Sequence, residues 1–290
     1  MKACPFFWLD VFAESPLAGN GLAVVLDADG VDEETMLAYT RETGLSEATF
    51  VQAPSSDAAG EGADYRNRIW TMAGEVPFAG HPSLGTAVAV AIERGVEENT
   101  FTQETGVGLQ QVDVEKLVDG AWNASVHQEP AEFGEVYPRS RMARLLNLGE
   151  SDLHPDFSPQ LVSTGFPTLL VPLAGQEALS ACVAEVAELA TFGFEYAVNV
   201  YPFVFDVPSR TADARCFALD LGAFEDPATG SAAGPLVAYL QDILDVDRIS
   251  IRQGVQMGRP SLIEARMDSG RPRVSGQVHL LMSGQVSLPD

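Results

Sequence analysis

Lysine is nearly missing from this chain: only Lys2 and Lys116 occur, so almost all positive charge is arginine. Basic residues of any kind are few, 17 Lys+Arg against 41 Asp+Glu, for a formal net charge of −24. A surface this acidic repels nucleic acid and anionic lipid, so neither is an expected partner. The excess fits adaptation to high salt and fits equally an ordinary acidic protein of a GC-rich genome. Cysteine is scarce too. Cys4, Cys182 and Cys216 lie far apart and form no CxxC pair, which excludes a disulfide framework and fits a reducing compartment. The histidines His81, His127, His154 and His279 are scattered without paired-ligand spacing, so no metal site is expected. No run approaches the ~20 apolar residues of a membrane span. The opening MKACPFFWLD has too short an apolar stretch for a secretory signal, and the expectation is a cytoplasmic protein. Also missing are a GxGxxG dinucleotide fingerprint, a GxxxxGK[ST] phosphate loop and a GxSxG nucleophile elbow.

What is present is a core-forming composition, 46% hydrophobic over 290 residues, enough for one large or two medium domains. Strands are predicted at 6–12, 22–26, 48–52 and 65–72, and a helix at 33–42 capped by Asp32 and stopped by Gly44. The small, acidic stretch 55–63 reads as a loop. Short strands follow near 100–103, 109–114 and 122–128. QEPAEFGEVYP, 128–138, breaks the pattern and marks a boundary. Beyond it come a short helix at 141–148, strands at 160–163 and 168–172, a helix over 177–190, strands at 197–205 and 214–219, and a strand-rich end. There QMGRPS, DSGRP and MSGQ read as turns.

One device occurs twice. GEVPFAGHPSLG (74–85) and EDPATGSAAG (225–234) share Glu75/Glu225, Pro77/Pro227 and Gly80/Gly230 at an offset of 150 residues. Each precedes a segment apolar on nearly every face, PSLGTAVAVAIE (82–93) and AAGPLVAYLQDIL (232–244). A helix apolar all round must be buried all round. With strands on both sides in sequence, each half reads as a sheet curled around one central helix. Pro82 suits a first helical turn and Ser231 an N-cap. The N–H groups at such a helix start attract anions. Small residues there (Gly80, Gly230, Ser231) let a ligand approach the backbone. Two matched helix mouths bearing His81, Asp226 and Ser231 point to binding or catalysis rather than to turning alone.

DVFAESPLAGNGLAVVL, LSEATFV, GEVPFAGHPSLGTA, FEDPATGSAAG and QGVQMGRPS, in this order and across nearly the whole chain, resemble the phenazine-biosynthesis isomerase family, the PhzF-like proteins. The resemblance implies an α+β, diaminopimelate-epimerase-like fold. Two pseudo-symmetric domains, each a barrel-like, mostly antiparallel sheet around a central buried helix, flank the active site. The domains would be 1–128 plus about 279–290, and 129–278. It further implies a cofactor-independent isomerase that shifts a proton on a small carboxylic acid, as for trans-2,3-dihydro-3-hydroxyanthranilate, and a homodimer.

Glu47, in Leu45-Ser46-Glu47, takes the family's acid/base place; burial would tune such a carboxylate toward neutral pH. His81 would contact substrate or help move the proton. Asp226 would bind a substrate hydroxyl or amine and help orient His81. Gly80, Gly230 and Ser231 would offer N–H groups to the substrate carboxylate, and Asn20 and Ser46 would line the pocket. Glu75 and Glu225 match the family and read as structural. The chain departs from the family's usual proline at Gly21, Met72 and Leu219.

The same fold hosts racemases with two facing cysteines. Ala79 and Thr229 stand at those places, so two-thiol chemistry is not expected. The alternatives are a glutamate-based epimerase of another small carboxylate, or a non-catalytic small-molecule binder on the same fold; the second predicts loss of the acid/base residue, and Glu47 is present.

Overall fold

The computed structural model describes residues 1–189, 191, 198–217 and 225–289. The chain divides into two compact units: unit 1 comprises Met1–His127 and Ser275–Asp290, and unit 2 Gln128–Val274.

Unit 1 holds β1 (Lys2–Val11), β2 (Asn20–Val25), α1 (Glu33–Thr43), β3 (Glu47–Gln52), α2 (Ser56–Gly60), β4 (Tyr65–Thr71), β5 (Glu75–Val76), α3 (Gly80–Arg94), β6 (Glu98–Thr105), β7 (Gly108–Lys116) and β8 (Trp122–His127). The chain's last strand, Arg271–Leu288, joins it from Ser275 onward. The order β1-β2-β3-β4-β6-β7-β8-last strand closes on itself, because the last strand also pairs β1. The product is an eight-stranded barrel. Parallel pairs occur where a helix supplies the crossover: α1 between β2 and β3, and α3 between β4 and β6. The second crossover runs through the barrel. From Gly80 to Ala91 every residue of α3 is buried, and the helix packs on β1–β4 and β6–β8. That is the burial its all-round apolar sequence demands.

Unit 2 holds β9 (Glu132–Val136), α4 (Arg139–Leu145), β10 (Gln160–Ser163), β11 (Pro167–Pro172), α5 (Gln176–Ala181), α6 (Val186–Leu189), β12 (Asn199–Asp206), β13 (Thr211–Ala214), α7 (Gly230–Leu244), β14 (Arg248–Gln253), β15 (Ser261–Asp268) and the start of β16, which is the last strand. Its strands run β16-β15-β14-β13-β12-β11-β10-β9. The same logic recurs. α7 is the crossover between the parallel strands β13 and β14, and it packs on β10, β11, β14 and β15. A second core of Met142, Leu145, Leu169, Val171, Leu179 and Phe217 lies among α4, α5 and the strands.

The predicted caps of α1 are present: Asp32 accepts from the Thr35 N–H at 2.7 Å, and Gly44 is left-handed at φ 67°. Several expectations need correction. The loop at 55–63 contains α2, because Ser55 caps it through the Ala58 N–H. The boundary stretch QEPAEFGEVYP contains β9, an exposed edge strand paired with β10. The helix over 177–190 breaks at Cys182 into α5 and α6. MSGQ does not turn, because β16 continues through it along β1, with Phe7 opposite Ser283 and Phe6 opposite Gly284. Ser231 is not the N-cap of α7. Thr229 holds that place, with Ser231 inside the first turn. The strand expected over 214–219 ends at Ala214, with bridges at Cys216 and Phe217; its last residues, including Leu219, lie outside the described residues, as do Ala190 and Ala197.

Candidate active site

Both repeated devices are built on an arginine–glutamate fork. In unit 1, Arg68 on β4 grips Glu75 through Nε at 2.8 Å and also reaches Glu33 at 2.8 Å. In unit 2, Arg215 grips Glu225 through Nε and Nη2, both at 2.8 Å, and its Nη1 binds the carbonyl of Cys182 at 2.7 Å. The hydrogen bonds to these glutamates hold both guanidinium groups above their ordinary pKa. The repeated Glu therefore fastens the chain that leads into the central helix. Four residues after the fork comes the N-cap, Ala79 in one unit and Thr229 in the other. Neither N-cap bears sulfur.

In unit 1 the start of α3 meets the start of β3. Glu47 is the first residue of β3, only 9% exposed. His81, in the first turn of α3, is 3% exposed. Its Nε2 lies 3.7 Å from Glu47 Oε2. Burial holds the imidazole pKa far below its usual range, at about 3, so the ring is neutral at ordinary pH. The Nδ1 of His81 lies 3.3 Å from the side-chain amide nitrogen of Asn20, a buried residue at the start of β2. Ser46 donates its hydroxyl to Asn20 Oδ1 at 3.3 Å. The four residues Asn20, Ser46, Glu47 and His81, drawn from three separate sequence motifs, thus form one polar chain. By helix geometry the N–H groups of Gly80 and His81 have no acceptor within α3.

In unit 2 the start of α7 carries another set. Asp226 accepts the Thr229 hydroxyl at 2.5 Å. Gln253, fully buried at the end of β14, donates to the Asp226 carbonyl at 2.7 Å and to Thr229 Oγ1 at 2.9 Å. Its own Oε1 accepts from Tyr201 at 2.8 Å and from the Thr229 N–H. Ser231 accepts from Asn199 at 3.2 Å, and Gln128 donates to the Gly230 carbonyl at 2.8 Å. Asp226 is thereby built into a framework of Thr229, Gln253 and Tyr201, while the Nδ1 of His81 is met by Asn20 of its own unit.

No site role is assigned from sequence to Thr229, Gln253, Tyr201 or Gln128. One signal was available: Ile249 and Ile251 point inward on β14, and Gln253 has the same parity, a polar side chain where the alternation demands an apolar one. The other histidines stay apart; His154 stacks on Phe157 and accepts two backbone N–H groups. Among the described residues no group of three His, Cys, Asp or Glu is placed to hold a metal ion, and no helix is long and apolar enough to cross a membrane.

Comparison with known proteins bears on the family and the fold. Residues 9–285 match the model of the PhzC-PhzF family, described as phenazine biosynthesis-like protein. A trans-2,3-dihydro-3-hydroxyanthranilate isomerase of Pseudomonas aeruginosa is 37% identical over 271 residues, 92% of this chain and 91% of the relative. A solved structure of a predicted epimerase, also from Pseudomonas aeruginosa, superposes with a TM-score of 0.84 at 34% identity. It covers 98% of this chain and 99% of its own. A hydroxyproline epimerase from Agrobacterium vitis superposes at 0.67 over 99% of this chain and 91% of its own; at 13% identity it shares the fold alone. The α+β, epimerase-like fold expected from sequence is the fold observed.

Proposed function

The chain belongs to the PhzC-PhzF family of phenazine biosynthesis-like proteins and is an isomerase by class, and on that premise we propose that it moves a proton on a small cyclic or unsaturated carboxylic acid, with Glu47 as general acid and base. The observation that carries this reading is the buried Glu47 carboxylate 3.7 Å from a buried, neutral imidazole. Burial disfavours the charged form of a carboxylate and so raises its appetite for a proton. A single carboxylate suffices for the step. It takes the proton from one carbon as electrons move along the conjugated system. It then returns that proton to another carbon on the same face. His81 contributes a neutral polar contact beside it. The N–H groups of Gly80 and His81 at the start of α3 suit a substrate carboxylate. The start of α7 offers N–H groups at Gly230 and Ser231, and the Asp226 carboxylate suits a substrate hydroxyl or amine. Trans-2,3-dihydro-3-hydroxyanthranilate, the substrate in the Pseudomonas relative's name, is the first candidate. A two-thiol racemase is disfavoured by Ala79 and by Thr229, whose hydroxyl proton is committed to Asp226.

The test is proton NMR in D₂O. The full chain is incubated with dihydrohydroxyanthranilate and a panel of small carboxylic acids bearing acidic C–H bonds, beside Glu47→Gln. The expected outcome is deuterium incorporation into one compound, reduced about 10²–10⁴-fold in the variant, the usual weight of a positioned acid/base. Equal incorporation by both proteins removes Glu47 from the reaction.

A further inference from the structure

We infer that Asn20 is a positioning residue that fixes the tautomer of His81, placing the single imidazole proton on Nε2, toward Glu47. The argument is one of donors and acceptors. An amide oxygen only accepts and an amide NH₂ only donates, whereas a hydroxyl does both. Ser46 donates to Asn20 Oδ1 at 3.3 Å, which leaves the Asn20 NH₂ facing His81 Nδ1 at 3.3 Å. A nitrogen that meets an NH₂ group must present its lone pair. A neutral imidazole has one proton, so that proton resides on Nε2. The Nε2 atom is sealed from solvent and makes no hydrogen bond within the described residues. Glu47 Oε2, at 3.7 Å, is the acceptor in front of it. The gap exceeds the roughly 2.9–3.0 Å of a formed N–H···O bond, a slack typical of catalytic contacts before substrate arrives.

The competing arrangement turns the amide over. Asn20 Oδ1 would then accept from Nδ1–H, and Ser46 would accept from the amide NH₂. The bare Nε2 would face the Glu47 carboxylate, lone pair against lone pair, unless Glu47 carried a proton to share. The two arrangements have the same net atoms and opposite meanings. In the first, His81 steadies an ionised Glu47 as a base without adding a counter-charge that would quench its basicity. In the second, Glu47 is held as an acid. The second sets two buried lone pairs, Nε2 and an ionised Glu47 Oε2, against each other at 3.7 Å, whereas the first sets a donor before an acceptor and is favoured for that reason. The consequence for catalysis rests on the acid/base reading of Glu47; the tautomer does not.

The experiment labels histidine with ¹⁵N in the full chain and records long-range ¹H–¹⁵N correlations at pH 7. The His81 ring is assigned by its loss in His81→Gln. The expected pattern is a protonated Nε2 and an unprotonated Nδ1 in the wild-type protein. Asn20→Asp replaces the donor with an acceptor and should move the proton to Nδ1. Ser46→Ala frees the amide to turn and should give a mixture. A wild-type ring protonated on Nδ1 overturns the inference without any variant, and so does a folded Asn20→Asp whose ring is unchanged. If the pattern is as expected but no compound exchanges deuterium, the tautomer assignment stands and the proposed reaction fails. If both hold, Asn20→Asp should lower kcat for dihydrohydroxyanthranilate at least tenfold with KM little changed.

Discussion

Acid should destabilise this protein through His81 in a way that a single substitution removes. An unfolded-chain histidine titrates near 6.5, whereas burial holds His81 at about 3. The folded state therefore resists a proton that the unfolded chain accepts. His81 contributes its full stability above pH 6.5. As pH falls below that value the contribution is lost, at up to about 1.4 kcal/mol per pH unit, until the folded imidazole itself titrates. At pH 5 the accumulated loss is about 2 kcal/mol. With the residue 3% exposed, solvent screening does not dilute the effect. One force opposes it. An ionised Glu47 at 3.7 Å attracts an imidazolium, by about 4 kcal/mol at an effective dielectric of ~20. An imidazolium, however, would turn Nδ1–H against the Asn20 NH₂, donor against donor, which is why the neutral ring is expected to win. The assay is urea unfolding at pH 7.5, 6 and 5 for the wild-type protein and His81→Gln. The many surface carboxylates titrate in both, so the difference between the two isolates the imidazole. The wild-type protein should lose about 2 kcal/mol more than the variant between pH 7.5 and 5. Parallel losses would falsify the strongly lowered imidazole pKa, and a wild-type protein that loses less than the variant would replace the neutral ring with a Glu47–His81 ion pair.

Two further predictions concern the scaffold of the repeated device. Glu225→Ala leaves Arg215, a residue 9% exposed, without its counter-ion and should cost about 3 kcal/mol in urea unfolding. Glu75→Ala should cost under about 1 kcal/mol, because Arg68 keeps Glu33 and the Glu75 side chain is 35% exposed; equal costs would show that the two forks are not graded by burial. In α7, Gly234→Ala would place a Cβ 1.9 Å from Gln128 Oε1 and 3.0 Å from Thr164 Oγ1. Moving Gln128 aside breaks its bonds to the Gly230 carbonyl and to Thr164. The net loss should be about 2 kcal/mol despite alanine's helical advantage of about 1 kcal/mol. A stabilised variant would show that this glycine is not needed for close approach.

The features legible in the sequence were those fixed locally or by periodicity. The cap Asp32, the stop Gly44 and the two helices apolar on every face declare themselves without knowledge of what lies nearby. The features that were missed depend on distant partners. A helix over 177–190 was reasonable on its own pattern. It ends at Cys182 because Arg215 takes the carbonyls of Leu179 and Cys182, and because the Val183 and Glu185 N–H groups turn to Leu146 and Leu145. Those are groups a continuing helix would have kept for itself. MSGQ reads as a turn by composition, yet β1 lies alongside and offers a ladder to pair with. The same division runs through the site. Glu47, His81 and Asn20 stand out through their motifs, but that Asn20 meets Nδ1 while Glu47 lies by Nε2 is a fact of three strand and helix starts brought together. Gln253 was hidden for the opposite reason: its motif was visible, but its work is done inside the unit.

The two devices share a frame and differ in what they do with it. Each has the arginine–glutamate fork, an N-cap, and a small residue that opens the helix start. In unit 2 the side chains after the fork are tied to one another. Asp226 accepts from Thr229, Gln253 spans both, and Tyr201 holds Gln253 from behind. A carboxylate that accepts the hydroxyl of its own N-cap, which Gln253 holds in turn, suits holding a ligand in place and is poorly suited to carrying a proton back and forth, since each transfer would have to break that bond. In unit 1 the corresponding N-cap is Ala79, which has no side-chain donor to give. Glu47 comes instead from a neighbouring strand and faces a neutral ring across a gap that a small movement closes. On the acid/base proposal for Glu47, each copy is suited to a different task, the tied one to holding a group in place and the loose one to moving a proton. Gln253→Leu strands the Tyr201 hydroxyl and the Thr229 N–H and should cost about 2 kcal/mol in urea unfolding, whereas Glu47→Gln should act on kcat. A Gln253→Leu protein as stable as the wild type would refute the tied framework.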